Sequence, residues 1–236
     1  MTIAYNDRDA RSSRFGVGAE GARPAATLAT LAATLALPVA LWVVSVRQMD
    51  GMDMGVATEL GAFPSFVALW LTMMGAMMLP GATAAVLRRA HASRRVGTVP
   101  LFVGSYLAVW MLVGVAVYAV YRPHGTAAAG GLAIAAGIYE IAPLKRHFRE
   151  HCRQGMHSGL EFGLYCVGSS IGLMLLFVAL GVMNVVWMAV IAFLIATQKL
   201  LPPRAAIDLP VTLAIVGLGV LILVAPSSVP SLMPPM

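Results

Sequence analysis

Seven long apolar runs constrain the fold of this 236-residue chain more than any other feature of its sequence. They cover residues 25–46, 63–87, 101–121, 127–143, 159–181, 185–200 and 209–225. A helix needs about 20 apolar residues to cross a bilayer core that is roughly 30 Å thick. With 59% hydrophobic and only 11% charged residues, the chain has too little polar sequence to cover a soluble core. We therefore predict an all-α fold, a polytopic transmembrane helical bundle of seven spans.

The runs also set the predicted domain organisation, because they leave no room for a separate soluble domain. We expect an N-terminal tail over residues 1–24, a transmembrane domain over 25–225 and a C-terminal tail over 226–236. The first run is kept as a span because it is longer than a typical signal-peptide core and no small-x-small cleavage site follows it.

Basic residues fall almost entirely on one side of this predicted bundle. Fourteen of the sixteen Lys and Arg lie in the N-terminal tail or after the second, fourth and sixth runs; the exceptions are Arg47 and Arg122. Because basic loops are retained in the cytoplasm during insertion, we predict a cytoplasmic N-terminus in a bacterial inner (plasma) membrane. The net charge of +6 is then explained by contact with anionic lipid headgroups, without nucleic acid as a partner.

The outer loop after the first span reads "RQMDGMDMG" and alternates methionine with aspartate. Its candidate ligands are Met49, Asp50, Met52, Asp53 and Met54. Thioethers are soft ligands that select Cu(I), and they bind it without losing a proton. The loop is typical of a copper-capture segment, but it also fits a polar loop whose methionines cap the bundle.

The second run contains "WLTMMGAMMLP", with four methionines in six residues. On a helix, Met73 and Met77 are i,i+4 neighbours, and so are Met74 and Met78. The third and fifth runs add sulfur at a similar depth, from Met111 and Met174. These thioethers favour a midplane soft-metal site or a relay across the bilayer. The alternative is packing, since methionine is a flexible gap-filler.

A third group of candidates lies near the predicted cytoplasmic face. His147 and His151 are four residues apart, Cys152 follows directly, and Cys166 lies early in the fifth run. Imidazole and thiolate suit copper and zinc, but the segment also fits a basic helix at the lipid interface. Since both cysteines fall on the reducing side, no structural disulfide is expected.

Three polar residues are further candidates. Glu140 and Glu161 flank the basic loop, and acids near a membrane core are functional candidates. Both also lie close enough to the interface to be hydrated or paired with Lys145 or Arg146. Asn184 stands in the outer turn before the sixth run. Phosphate-binding, nucleophile-elbow and zinc-protease motifs are missing, so we predict no enzyme.

Several motifs between residues 66 and 202 occur together in a characteristic order. They include "AMMLP" at 76–80, "PLK" at 143–145, "HCR" at 151–153 and "MN" at 183–184, followed by Trp187 and Lys199. In these motifs the chain resembles a bacterial family of uncharacterised proteins, built around a domain of unknown function and described as predicted metal-binding integral membrane proteins. The resemblance implies a metal-binding membrane protein.

The chain departs from the resembled pattern at five positions. That family often has cysteine where this chain has Phe148, Ser169 and Ser170, an acid where it has Gln198, and glutamine where it has Glu140. The sulfur that remains is mainly thioether, which points to Cu(I) and not to zinc.

Together these patterns predict a protein that binds copper and transports it or delivers it to a membrane or periplasmic partner. One alternative is a non-catalytic accessory or scaffold subunit of a larger membrane complex. Another is a proton-coupled solute transporter that uses Glu140 or Glu161. The small-x-x-x-small spacings also suit a homo-oligomer within the lipid bilayer.

Overall fold

The computed structural model describes residues 17–50, 60–92, 98–153, 158–181, 184–201 and 205–229, and their regular secondary structure is helical throughout. The helices in chain order are α1 (Val17–Met49), α2 (Phe63–Ala92), α3 (Thr98–Val120), α4 (Thr126–Glu140), α5 (Pro143–Arg153), α6 (Gly159–Leu180), α7 (Val185–Leu200) and α8 (Ala205–Val224). A 3-10 turn, Pro226–Ser228, follows α8. The predicted all-α class is confirmed.

Three of these helices, α2, α3 and α6, are long and apolar enough to cross a membrane. Helices α4 and α5 meet at an angle of 63° and together would make a fourth, broken span. Shorter apolar helices cover Leu35–Met49, Val185–Leu200 and Asp208–Val224. The seven spans and the cytoplasmic N-terminus therefore remain predictions.

Large apolar side chains cover the outside of the bundle. Leu101 and Leu112 on α3, Leu164 on α6 and Phe193 on α7 are each at least 65% exposed. A soluble monomer seldom leaves so many such side chains in water, whereas hydrocarbon is a favourable environment for them. The outer surface is therefore suited to contact with lipid.

Helices α2 and α6 are central in the bundle. Helix α2 packs against α1, α3 and α7, whereas α6 packs against α3, α4, α5 and α7. Trp70 on α2 lies against Gly114 of α3, and its indole Nε1 donates a hydrogen bond of 2.8 Å to the Trp110 carbonyl. The close approach of these helices brings functional candidates from distant parts of the chain together.

The break between α4 and α5 has a local cause. Pro143 begins α5, and proline suits a first helical position because the N–H that it lacks would have no partner there. At the end of α4, the backbone N–H of Ile141 caps the last turn by donating to the carbonyls of Ile138 and Tyr139. The turn places Glu140 and Lys145 on opposite sides of the break, within reach of each other.

Candidate functional site

Two sulfur atoms and one amino group meet where α2, α6 and α7 pack together. Lys199 Nζ donates to Cys166 Sγ at 2.7 Å and to Met78 Sδ at 3.7 Å. On the far side of the thiol, the hydroxyl of Tyr106 from α3 lies 3.1 Å from Cys166 Sγ. Met78 and Cys166 are completely buried. A thiol and a thioether from different helices thus converge on a single nitrogen atom; we call Met78, Cys166 and Lys199 the sulfur site.

A glycine allows Lys199 to reach this position. Gly81 lies one turn beyond Met78, and a Cβ atom there would fall 2.5 Å from Lys199 Cδ and 3.4 Å from its Cβ. Any larger residue at position 81 would push the lysine stem away from α2. The small residue therefore lets a long basic side chain cross the face of α2 that carries Met78.

The other methionines of α2 lie inside the bundle. Met73, Met74 and Met77 have no exposed surface, like Met78. Met74 and Met78 form one i,i+4 row, with a rise of about 6 Å between them. Of the remaining midplane candidates, Met174 is 4% exposed and Met111 is half-buried. The row on α2 leads towards the sulfur site, and Met174 belongs to the same buried core, against which Met111 packs.

The outer loop is described only at its beginning. Met49 is buried at the end of α1 and Asp50 is exposed, whereas Met52, Asp53 and Met54 lie outside the described residues. Gln48 Oε1 accepts a hydrogen bond of 2.9 Å from Thr72 Oγ1. The end of α1 therefore lies beside the turn of α2 that carries Met73.

The histidine and cysteine candidates of α5 do not converge on one point. The Nδ1 atom of His151 lies 2.8 Å from the His147 carbonyl, and its ring stacks on Tyr165 with centroids 5.0 Å apart. Cys152 Sγ is 3.9 Å from Ser169 Oγ. Within the described ranges, no group of three or more His, Cys, Asp or Glu side chains is arranged to hold a metal ion.

A buried polar network lies next to the sulfur site. The carboxylate of Glu140 accepts hydrogen bonds from Lys145 Nζ and from Gln198 Nε2, the latter at 2.7 Å. Lys145 Nζ also donates to Gln198 Oε1 at 2.8 Å. Glu140 is therefore paired with Lys145, which the sequence indicates, together with Arg146, as a candidate partner. Pairing of this kind offsets the cost of burying both charges.

The network explains two of the departures from the resembled family. Positions 140 and 198 carry glutamate and glutamine here, the reverse of the arrangement described above, and their side chains are in direct contact. Because both side chains contact Lys145 Nζ in this structure, an acid at either position would lie beside that lysine. A second ion pair extends the network: Arg149 Nη1 donates to Asp208 Oδ1 at 2.6 Å, and Arg149 Nη2 to the Gln198 carbonyl at 2.9 Å.

The two remaining polar candidates have different surroundings. Glu161 is exposed in the first turn of α6. Asn184 is buried and caps α7, because its Oδ1 accepts from the backbone N–H groups of Val186 at 3.0 Å and Trp187 at 3.1 Å. These bonds satisfy two of the N–H groups that every helix leaves open at its start.

A cavity of about 160 Å³ opens beside Lys199. Its polar lining consists of Arg88, Arg149, Cys152, Ser169, Gln198 and Lys199. Arg88 lies four residues before the end of α2, Arg149 belongs to α5 and Lys199 is the last residue but one of α7. Basic residues from three separate parts of the chain therefore meet at one end of the bundle. The cavity adjoins the sulfur site through Lys199, and the thiol in its lining is that of Cys152.

Sequence reasoning did not single out Lys199, Tyr106, Gln198 or Asp208 as site residues. Each is a polar residue within or beside an apolar run, and this signal was available in the sequence. Met188 on α7, which is completely buried, was likewise left out of the predicted ligands. The sequence could not show which of these groups contact each other. Cys166 and Lys199, for example, are 33 residues apart in the chain.

Comparison with known proteins links the chain to a copper-related family. Residues 67–222 match the model of the PpoB2 family, which is described as a copper chaperone. No curated protein and no solved structure matches the chain. The match begins close to the predicted boundary at residue 66 and extends through most of α8, so it includes the whole sulfur site. Because it covers more than half of the sequence, the chain belongs to the PpoB2 copper chaperone family.

Proposed function

We propose that this protein is a membrane-embedded copper chaperone that binds Cu(I) at the sulfur site and delivers it to a partner protein. The observation that carries the proposal is the convergence of Cys166 Sγ and Met78 Sδ on Lys199 Nζ, at 2.7 and 3.7 Å. Thiolate and thioether are soft ligands, and soft ligands select Cu(I). The family description supports the choice of metal.

In this proposal Lys199 occupies the position that the metal takes. The amino group of Lys199 stabilises the buried sulfur pair through hydrogen bonds while copper is absent. When Cu(I) binds, Lys199 moves aside and the Cys166 thiol loses its proton, because thiolate is the form that binds metal. The hydroxyl of Tyr106 then donates a hydrogen bond to the sulfur and orients it.

The buried methionines of α2 extend the sulfur site along the bundle. Met74 lies one turn before Met78, and Met73 lies beside the end of α1, where Met49 is buried. Thioethers spaced by about 6 Å along a helix offer successive weak sites for a soft ion. This row gives the ion a path from the sulfur site towards the outer loop and hence towards an extracytoplasmic recipient.

The test is the copper content of purified protein. The wild type and the variants Cys166→Ser and Met78→Leu are purified in detergent from copper-supplemented, reducing medium, and bound metals are measured by mass spectrometry. The Met→Leu change preserves volume and apolarity, so the fold should persist. We expect about one copper per wild-type chain. Both variants should lose most of this copper, because each removes a proposed metal ligand.

Two variants serve as controls for this measurement. Met188→Leu changes an equally buried methionine that does not contact Lys199, and it should keep its copper. Cys152→Ser removes the other thiol, and its copper content shows whether that residue contributes. Wild-type protein without copper above background, co-purifying with a fixed partner, would overturn the proposal in favour of a scaffold role.

A further inference from the structure

The cavity beside the sulfur site has a charge that does not suit a free metal cation. Three basic side chains line it, from Arg88, Arg149 and Lys199, and its lining contains no Asp or Glu. Two acids contact residues of this lining, and both are paired with a basic group: Asp208 with Arg149 and Glu140 with Lys145. Basic walls around a narrow space raise the local concentration of anions and repel cations. A bare Cu(I) ion would therefore be disfavoured on its way to Cys166.

Arg149 contributes a buried donor to this cavity. Its side chain is 6% exposed, and two of its nitrogens bind Asp208 and the Gln198 carbonyl. The third nitrogen, Nε, is buried and has no hydrogen-bond partner among the described residues. Buried donors are rarely left without a partner in folded proteins. Guanidinium groups bind planar anions such as carboxylates well, so Arg149 favours an anionic ligand in the cavity that it lines.

We infer that the cavity binds the small anionic thiolate complex in which Cu(I) reaches the protein. The inference rests on the proposed function. It adds the chemical form in which Cu(I) enters the protein and the end of the bundle at which Cu(I) enters. Cu(I) held by two thiolates has a net charge of −1, and carboxylates on the thiols add to it. The volume of about 160 Å³ admits a thiol of few atoms but no folded protein domain.

Transfer from such a complex is a ligand exchange without electron transfer. A Cu–S bond forms to Cys166 as one Cu–S bond to the carrier breaks, and that carrier thiolate takes the Cys166 proton and leaves as a thiol. Met78 Sδ then replaces the second carrier thiolate, which leaves as an anion into the basic cavity. Copper remains Cu(I) throughout, and the protons and charges balance.

The experiment compares two copper donors of opposite charge. Detergent-purified, copper-free protein is mixed with the Cu(I) complex of mercaptoacetate, an anion, or with the Cu(I) acetonitrile complex, a cation. Copper bound per chain is then followed over time by rapid gel filtration and mass spectrometry. The key variant is Arg88→Gln, which changes an exposed residue and should leave the fold intact. Arg146→Gln is the matched control, because Arg146 is also exposed and basic but does not line the cavity.

We expect Arg88→Gln to slow uptake from the mercaptoacetate complex by roughly tenfold and not to slow uptake from the acetonitrile complex. Arg146→Gln should behave like the wild type with both donors, and added salt should reduce the difference. Equal slowing by the two variants, or equal slowing with the two donors, would overturn the anion site while leaving copper binding in place. Failure of the wild type to take copper from either donor would overturn the proposed function itself.

Discussion

At the scale of single residues, the buried charges show how side chains depend on each other across the fold. Lys145 has no exposed surface, and its carboxylate partner Glu140 lies five residues before it, beyond the break between α4 and α5. Gln198 bridges the pair by donating to one partner and accepting from the other. Removal of one partner from a buried ion pair leaves an uncompensated charge.

The first prediction concerns the exchange of acid and amide around Lys145. Glu140→Gln alone should lower the free energy of unfolding by about 3–5 kcal/mol, because the buried ammonium loses the carboxylate that is paired with it. The double variant Glu140→Gln/Gln198→Glu should recover most of that loss, since the acid returns from the neighbouring position. Thermal or denaturant unfolding in detergent measures both. A double variant as unstable as the two single variants combined would contradict the prediction.

The second prediction concerns Lys199, which we expect to compete with copper for the sulfur site. Lys199→Met removes the basic group and supplies a third thioether of similar length, so bound copper should be lost more slowly to a Cu(I) chelator than in the wild type. Lys199→Arg keeps the charge and should not show this gain. If Lys199→Met instead released copper faster, Lys199 would be a ligand of the metal and not its competitor.

At the scale of helices, close packing depends on small residues at a few crossing points. Gly163 on α6 faces Val109 on α3, where a Cβ atom would lie 2.8 Å from Val109 Cγ2. Gly137 on α4 faces Val216 on α8 in the same way, and a Cβ atom at position 137 would lie 2.6 Å from Val216 Cγ2. In a bilayer, helix association relies on such packing because lipid offers no hydrophobic driving force between helices.

The third prediction tests the crossing of α3 and α6. Gly163→Ala should lower the free energy of unfolding by about 1–3 kcal/mol, because the added methyl group would overlap a β-branched side chain with little freedom to move. Gly104→Ala is the matched control, because Gly104 lies on α3, the other helix of this crossing, and has nothing within 4 Å of its Cβ position. The control should be neutral or slightly stabilising, since alanine favours helix over glycine. Equal effects of the two changes on thermal unfolding would argue against a tight crossing.

The fourth prediction separates helix capping from function at Asn184. Asn184→Ala should lower the free energy of unfolding by about 1 kcal/mol, because two N–H groups of α7 lose their acceptor. Asn184→Asp keeps the acceptor and should retain stability, and neither change should alter the copper content. Loss of copper in Asn184→Asp without loss of stability would assign Asn184 a role beyond the cap.

At the scale of the whole molecule, the bundle has apolar sides and one basic end, a pattern that fits a protein lying across a membrane. Apolar side chains cover its sides, whereas the ends of α2 and α7 and the helix α5 bring Arg88, Lys199 and Arg149 to one end. Basic residues at one end are what retention of positive charge in the cytoplasm would produce. The sulfur site lies next to this end, through Lys199.

The fifth prediction tests this orientation. Single cysteines are introduced at His124 and at Arg146 in a variant that has Cys152 and Cys166 replaced by serine. In intact cells, a membrane-impermeant thiol reagent should label His124→Cys and not Arg146→Cys, because the second position is predicted to face the cytoplasm. Both should be labelled after the membrane is opened. The opposite labelling pattern would reverse the predicted topology.

The sequence by itself determined the helical class, the apolar surface and the wealth of buried methionine in α2. These properties depend on composition and on spacing along one helix, as the i,i+4 rows of Met73 with Met77 and Met74 with Met78 show. The sequence could not show that Cys166 contacts Lys199 or that Gln198 contacts Glu140. It also could not show that Arg88 and Arg149 line the same cavity. Only the tertiary structure decided these contacts, because they join residues on different helices. Which side chains meet depends on the crossing points and rotations that close packing imposes on those helices.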